Sequence, residues 1–390
     1  MSERVKVLLI IGQLEVGGTE RQLLNILPEI GGTPLEFVIY ALRGGGSLNP
    51  AFLAAGIRVV NPTHHSRRWL GLIRTAAHLI ATLRAERPRI VHYFLPEAYV
   101  LGGLCSFLAP PCIRLMSRRS LNNYQQRWIG IRSVERFLHR RMDGILANSK
   151  AVLSDLQKEG VSDNNSCVIY NGVAVAREID EETKASKRAE LGLEPDCIVL
   201  IMVANLIHYK GHADVFDALA KAYKRLKGAW TLLLVGGDHG IQSDLEQHAV
   251  DVGIDAHIRW LGRQSDVQPF LAVADIALQA SHEEGFSNAV LEAMAAGLPV
   301  VVTAVGGNVE AVVNGKTGIV VPPRGPSALA AAIIRMANNA DLRRRMARAG
   351  QQQILRQFSI GRCADAHRRL YLGLARGEHS SIESLVGTET

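Results

Sequence analysis

Thirteen short runs rich in Val, Ile and Leu punctuate the chain, and longer stretches of helical period separate them. They fall into two sets. The first occupies 5–11, 36–40, 57–60, 90–95, 112–116, 144–147 and 167–169, and the second 198–204, 230–235, 257–261, 275–279, 299–303 and 319–321. Runs this short and this continuously apolar describe strands covered on both faces, as in a parallel sheet with helices on either side. A chain of 390 residues has room for two or three domains. The two sets are parted at 173–195, a polar stretch with weak strand signal that includes the charged run 177–184. The expected organisation is therefore an α/β domain over 1–175, a linker with an opening helix, and a second α/β domain over 190–357. A final helix over 358–376 follows, with an amphipathic stripe of Cys363, Ala366, Leu370, Tyr371 and Leu374. The polar tail, 377–390, is expected to be mobile.

Composition excludes several classes. No apolar run approaches the roughly 20 residues of a membrane-spanning helix. Val5–Ile11 is followed by Gly17-Gly18 and no small-residue cleavage pattern, so it reads as a first buried strand rather than a secretory leader. The five cysteines, Cys105, Cys112, Cys167, Cys197 and Cys363, are scattered without a C-x-x-C pair. They suggest neither a disulfide framework nor a zinc site, and a reducing cytoplasm fits them best. The net charge of +7 is concentrated early: residues 1–172 hold 21 Lys+Arg against 12 Asp+Glu, and residues 51–150 hold 16 against 4. A basic half calls for an anionic partner. Aromatics are only 5% and no RNA-binding or helix-turn-helix pattern stands out, so nucleic acid is not expected. Within the basic region, 127–142 reads as an amphipathic helix. Trp128, Ile131, Val134, Leu138 and Met142 form its apolar stripe, and Arg127, Arg132, Arg136, Arg140 and Arg141 its charge. Two readings stand side by side: a helix lying on an anionic bilayer, or one packed into the domain with solvated arginines.

The stretch richest in chemistry runs from Glu284 to Glu292: Glu-Gly-Phe-Ser-Asn-Ala-Val-Leu-Glu. Ser287 is a suitable N-cap and Gly297 a suitable helix end. Glu292 stands among apolar neighbours, and a buried carboxylate requires hydroxyls, amides or a cation. Glu284 lies just ahead of the helix. The amides of Gly285, Phe286 and Ser287 fall at its N-terminus, where backbone donors and the helix dipole favour a phosphate. Carboxylates on either side of an anion site describe a pocket for a sugar nucleotide. The plainer alternative is a capped helix whose Glu292 makes a local salt bridge.

This stretch resembles the two-glutamate signature of retaining glycosyltransferases of family 4, which have the GT-B fold. The likeness runs on through Gly297, Pro299, the strand at 300–303, Gly306-Gly307 and Glu310. The resemblance implies two Rossmann-like domains whose parallel sheets face each other across a cleft. Their last helix returns to the first domain, matched here through Phe358-Ser359 and Tyr371. It implies that Glu292 holds ribose hydroxyls of the donor, that Glu284 contacts the transferred sugar, and that the amides of Gly285, Phe286 and Ser287 take the diphosphate. Asn205-Leu206-Ile207-His208-Tyr209-Lys210-Gly211 is similar to the family segment whose lysine neutralises the phosphates. Lys210 and Glu284 thus become the expected catalytic residues. Many members carry Arg where this chain has Asn205, so Arg263 is the next candidate cation.

Gly17-Gly18-Thr19-Glu20 follows the first strand and resembles the family's G-G-x-E element, whose loop faces the donor diphosphate; G-x-G-x-x-G is absent. Gly236-Gly237-Asp238 and Leu261-Gly262-Arg263 end strands and are expected near the base, because ligands in open α/β sheets gather at the carboxyl ends of strands. Family members often place a His in the segment 118–124, where this chain has Arg118-Arg119. Arg118, Arg119 and His92 are the acceptor-side candidates, although a His inside a strand is more often a core residue.

The resemblance implies no metal and no resident cofactor, with a UDP- or GDP-sugar as co-substrate. The leaving phosphate takes the acceptor proton, so no protein base is required. The expected function is transfer of a sugar to a glycan or polyprenyl-diphosphate-linked acceptor in bacterial cell-surface polysaccharide synthesis. The expected location is the cytoplasm, at the inner face of the membrane where a lipid-linked acceptor is used. Two alternatives share the architecture: a sugar-nucleotide epimerase, and a glycosyltransferase-like subunit that binds without turnover.

Overall fold

The computed structural model describes residues 4–30, 34–62, 69–121, 125, 130–175, 179–378 and 381–386. The chain divides into two compact units, Met1–Gly172 with Ile360–Thr390, and Val173–Ser359. The first unit holds β1 (Val5–Ile11), β2 (Leu35–Ala41), β3 (Arg58–Val60), β4 (Ile90–Phe94), β5 (Ile113–Arg118), β6 (Gly144–Ala147) and β7 (Ser166–Val168). They form one sheet in the order β3-β2-β1-β4-β5-β6-β7, every pair parallel. The second unit holds β8 (Ile198–Val203), β9 (Trp230–Val235), β10 (Ile258–Gly262), β11 (Ile276–Gln279), β12 (Val300–Thr303) and β13 (Gly318–Val321). Its parallel order is β10-β9-β8-β11-β12-β13.

β1 shows why these runs are apolar throughout. Val7, Leu9 and Ile11 enter one buried cluster and Leu8 and Ile10 another, because successive side chains of a strand point to opposite faces. The first of those clusters also takes Cys363, Leu370, Tyr371 and Leu374 from the helix Ile360–Ala375, which makes that helix part of the first unit. The tail departs from the expectation of a mobile 377–390. Ile382–Val386 is helical, and Ile382, Leu385 and Val386 are buried in the same cluster. Their spacing is one helical face in an otherwise polar stretch, too short to register as a pattern.

The second unit begins at Val173 rather than near 190, and the helix Glu181–Glu190 belongs to it. Arg188 is the reason. Its guanidinium donates to the carbonyls of Val273, Glu194, Pro195 and Cys197 at 2.8–3.2 Å, and Lys187 lies 4.8 Å over the Phe270 ring. Residues 177 and 178 of the charged run lie outside the described residues.

The basic amphipathic segment forms a helix over Ile131–His139. Ile131, Leu138 and Met142 are buried, so the apolar stripe serves the core. Arg132, Arg136, Arg140 and Arg141 remain exposed, while Arg127 and Trp128 lie outside the described residues.

A buried ionic network ties this helix to the end of β5. Arg118 donates to Glu159 at 2.6 Å and Glu135 at 3.2 Å. His139 Nε2 meets Glu159 at 3.1 Å and its Nδ1 meets the Tyr99 hydroxyl at 2.8 Å. Gln125 donates to both carboxylates.

Candidate active site

In each sheet the chain order reverses at one point, between β1 and β4 and between β8 and β11. Loops leaving the carboxyl ends of two such strands diverge and open a crevice. In the second unit the β8 loop passes through a short turn, His208–Lys210, into the helix His212–Ala222, and the β11 loop leads to the helix Asn288–Ala295.

These two loops bring Lys210 and Glu284 together. Lys210 Nζ donates to Glu284 Oε1 at 2.6 Å, and the same oxygen accepts from Gln279 Nε2 and Ser281 Oγ, each at 2.8 Å. Both side chains are largely buried, at 18% and 10% exposed. Burial is the largest single influence on Lys210 and acts to lower its pKa, but Glu284, Tyr209 and Glu283 together hold it above the ordinary value. The site therefore pairs a lysine whose charged form is favoured with the Glu284 side chain.

The loops are locked to each other. His282 donates its amide to the Tyr209 carbonyl at 2.7 Å, and its Nε2 meets Asp214 at 2.8 Å. Gly211 has φ +76°, and a Cβ there would stand 2.1 Å from the Ala280 carbonyl oxygen. Gly306, with φ +46°, lies so close to the Glu284 carbonyl that a side chain has no room. Thr303 Oγ1 donates to the Ser281 carbonyl at 2.5 Å, which completes the support of the 281–285 turn.

Gly211→Ala is expected to force the loops apart and break the 2.6 Å contact. Gly240, with φ +91° and nothing within 4 Å, is the control, because its alanine variant carries backbone strain alone, about 1–3 kcal/mol. Thermal melts should show Gly211→Ala clearly less stable than Gly240→Ala; equal melts would mean the loop contact is unimportant.

The amides of Gly285, Phe286 and Ser287 stand at the start of the helix Asn288–Ala295, with Ser287 Oγ capping Val290 N at 3.4 Å. Phe286 is buried against the Phe358 ring, 5.4 Å away. Glu292 sits in the second turn of this helix and is half-buried, whereas Val290, Leu291, Ala293, Met294 and Ala295 are buried. That corrects the reading of a carboxylate in apolar surroundings: Glu292 occupies the edge of the helix that the core does not cover.

Asn205, Gly237 and Arg263 also converge. Asn205 Oδ1 accepts from Gly237 N at 3.0 Å, and the Arg263 guanidinium reaches within 3.0 Å of where a Gly237 Cβ would stand. Gly262, exposed with φ +62°, turns the chain from β10 into Arg263. The Asn205 amide oxygen thus stiffens the strand-end loops.

The first-unit candidates fare unequally. Gly17 is the extended N-cap of the helix Gly18–Glu29, and a Cβ on it would collide with the Glu20 carboxylate. Glu20 is buried, and desolvation raises its pKa against the opposing pull of its own amide and Arg119. The helix N-terminus therefore holds a carboxylate of its own. His92 is no acceptor-side residue. It is fully buried, with Nδ1 at 2.8 Å from the Tyr371 hydroxyl and Nε2 at 2.8 Å from Ser117 Oγ, and desolvation lowers its pKa well below the ordinary value. Arg118 is likewise committed to its two carboxylates. Arg119 donates to Asn171 at 2.5 Å and is half-buried. Asn122, Asn123 and Tyr124 lie outside the described residues.

Gln279, Ser281, His282 and Asp214 were not anticipated. The signal that marks the first two is two polar side chains at alternate positions around the end of the apolar strand β11.

Two parallel α/β units with their chain reversals at the strand ends have the GT-B architecture, and two family matches that together span most of the chain show that it belongs to the group 1 glycosyltransferases. It matches the family described as "Glycosyl transferases group 1" over residues 183–353 and "Glycosyltransferase Family 4" over residues 16–177. It is 29% identical over 224 residues to the lipopolysaccharide core biosynthesis glycosyltransferase LpsE of Rhizobium meliloti, 53% of this chain and 64% of that protein. It is 29% identical over 321 residues to the glycogen synthase of Mycobacterium tuberculosis, 79% of this chain and 74% of that one. Among solved structures, Anabaena HepE in complex with UDP and glucose superposes with a TM-score of 0.83 at 22% identity, covering 92% of this chain and 97% of that chain. At that identity the likeness shows the fold.

Proposed function

We propose that the chain is a retaining, metal-independent hexosyltransferase that uses a UDP- or GDP-sugar and serves cell-surface polysaccharide synthesis. The carrying observation is the Lys210–Glu284 pair at the β8/β11 reversal, beside the N-terminus of the helix Asn288–Ala295. The bond from the sugar's anomeric carbon to the diphosphate breaks, and the diphosphate gains negative charge. Lys210 and the amides of Gly285 to Ser287 stabilise that charge where it develops. Glu284 keeps Lys210 on Oε1 and presents its second oxygen to the sugar hydroxyls. The acceptor oxygen bonds to the same carbon on the face the diphosphate leaves, and its proton passes to the departing phosphate. Arg263 and the loops at Asn205 and Gly262 border the base. The solved relatives with UDP or UDP-glucose bound support a nucleotide-sugar donor. The relative named for lipopolysaccharide core biosynthesis supports a glycan acceptor, and the excess of basic residues over 51–150 favours one carried on a polyprenyl diphosphate. No helix among the described residues is long and apolar enough to cross a membrane. The proposed location is the cytoplasm.

The test is transfer or slow donor hydrolysis with UDP- and GDP-sugars in EDTA. Turnover should persist; complete loss restored by Mg²⁺ or Mn²⁺ would replace the lysine-based account. The ribose role is tested separately. Glu292→Ala is expected to weaken nucleoside diphosphate binding by about 1.5–3 kcal/mol, the worth of a hydrogen bond to a charged acceptor. Calorimetry showing wild-type affinity in a folded variant would assign Glu292 to the helix surface instead.

A further inference from the structure

We propose that the face formed by the end of the helix Pro96–Ser106 and the helix Ile131–His139 docks on an anionic lipid bilayer. The proposal deepens the preceding reading by naming the surface that would meet a lipid-linked acceptor. Leu104, Phe107, Leu108 and Phe137 are 44%, 38%, 60% and 47% exposed. Phe107 and Phe137 touch edge to face, with centroids 6.2 Å apart. Four large apolar side chains meeting at a surface are uncommon unless something covers them.

Cations frame them. Arg114 lies 5.3 Å over the Phe107 ring and Arg141 lies 5.2 Å over the Phe137 ring. Arg84 donates to the Leu108 carbonyl at 3.0 Å. Arg136 and Arg140 are exposed on the same helix as Phe137 or at its end. The only acid of that helix, Glu135, is buried against Arg118, so its exposed charges are all arginines. Asp143 is the nearby acid, and it accepts from the Arg114 amide at 2.7 Å. Aromatic and leucine tips ringed by arginines match the boundary between acyl chains and acidic headgroups, where long cationic side chains reach the phosphates while their stems lie along apolar surface. A second copy is a poorer occupant, because a two-fold contact would set arginine against arginine. The surrounding sequence, residues 51–150, carries 16 basic against 4 acidic residues, in keeping with attraction to an acidic surface.

The test is co-sedimentation of the full chain with phosphatidylcholine vesicles, with and without phosphatidylglycerol. Binding should require phosphatidylglycerol and fade as salt shortens the Debye length below about 10 Å. Because each arginine near an acidic surface is worth about fivefold in partition, the triple variant Arg136→Glu, Arg140→Glu, Arg141→Glu should lose about a hundredfold or more. Phe107→Ser with Phe137→Ser should bind only at low salt. Circular dichroism melts establish that both variants fold. No binding of wild type at low salt, or equal binding by all three proteins, overturns the proposal. So does a wild-type dimer that the phenylalanine variant dissociates, since the patch then joins copies of this chain. Nucleoside diphosphate binding measured without vesicles reports the donor site independently, so failure at the membrane leaves the glycosyltransferase reading standing.

Discussion

In a Lys210→Ala variant, turnover is expected to fall by about 10²–10³, the loss typical of removing one preorganised group that stabilises charge developing in a transition state. The physical ground is the lysine's confinement. Its ammonium is held 2.6 Å from Glu284 by two loops locked through Gly211, His282 and Gly306, so little reorganisation is needed when a diphosphate gains charge beside it. The pair is 74 residues apart in sequence, which makes it a property of the assembled site. Glu284 keeps the Gln279 and Ser281 donors in the variant, which limits the damage to folding. Donor hydrolysis and transfer rates are the measurements, with a thermal melt alongside. If turnover changes less than a few-fold in a protein that folds normally, the Lys210–Glu284 bridge is structural and Arg263 becomes the phosphate cation. Lys210→Arg should recover only part of the rate, because a planar guanidinium does not reproduce a compact ammonium in this setting.

Glu159→Ala is expected to destabilise the first unit by about 3–5 kcal/mol, since it leaves Arg118 and the His139 imidazole buried without their shared carboxylate. Burial alone would raise the Glu159 pKa, but hydrogen bonds from His139 and Arg118 bring it down to about 2 from an ordinary 4.5. A depressed folded-state value means the carboxylate's stabilisation is present above pH 4.5 and is lost as pH falls toward 2. Wild type should therefore weaken steeply across that window, and Glu159→Gln, already less stable at neutral pH, should show a shallower acid slope. Urea melts at several pH values decide it. An unchanged slope would assign the acid sensitivity to other carboxylates.

The thirteen strands were legible because a parallel sheet covered on both faces admits few polar residues, so every strand announces itself as an apolar run. The boundaries shifted by a residue or two, as at Leu95, whose φ of +70° leaves the extended conformation and stops β4 at Phe94. The helix start at Ser287 was legible for a different reason, because an N-cap is a local feature. Lys210 and Glu284 were singled out by the family resemblance, and their pairing across 74 residues appears only in the fold. The Ile382–Val386 helix escaped notice because five residues carry too little periodicity to outweigh a polar surround.

What no local pattern carries is how a polar side chain spends its hydrogen bonds. His92 inside β4 and Arg118 at the end of β5 are polar candidates as Lys210 is, yet His92 finds Tyr371, 279 residues onward, and Arg118 finds Glu159, 41 residues onward. Those partners turn both into core residues. Lys210 instead meets a carboxylate at a chain reversal with loops on either side, and Asn205 turns its amide to Gly237. Apolar periodicity and turn chemistry act over a few residues, and so the primary structure suffices for strands, caps and candidate motifs. Pairing of buried polar groups depends on which distant segments the sheet order brings together, and only the folded chain settles which charges are consumed and which remain to meet a substrate.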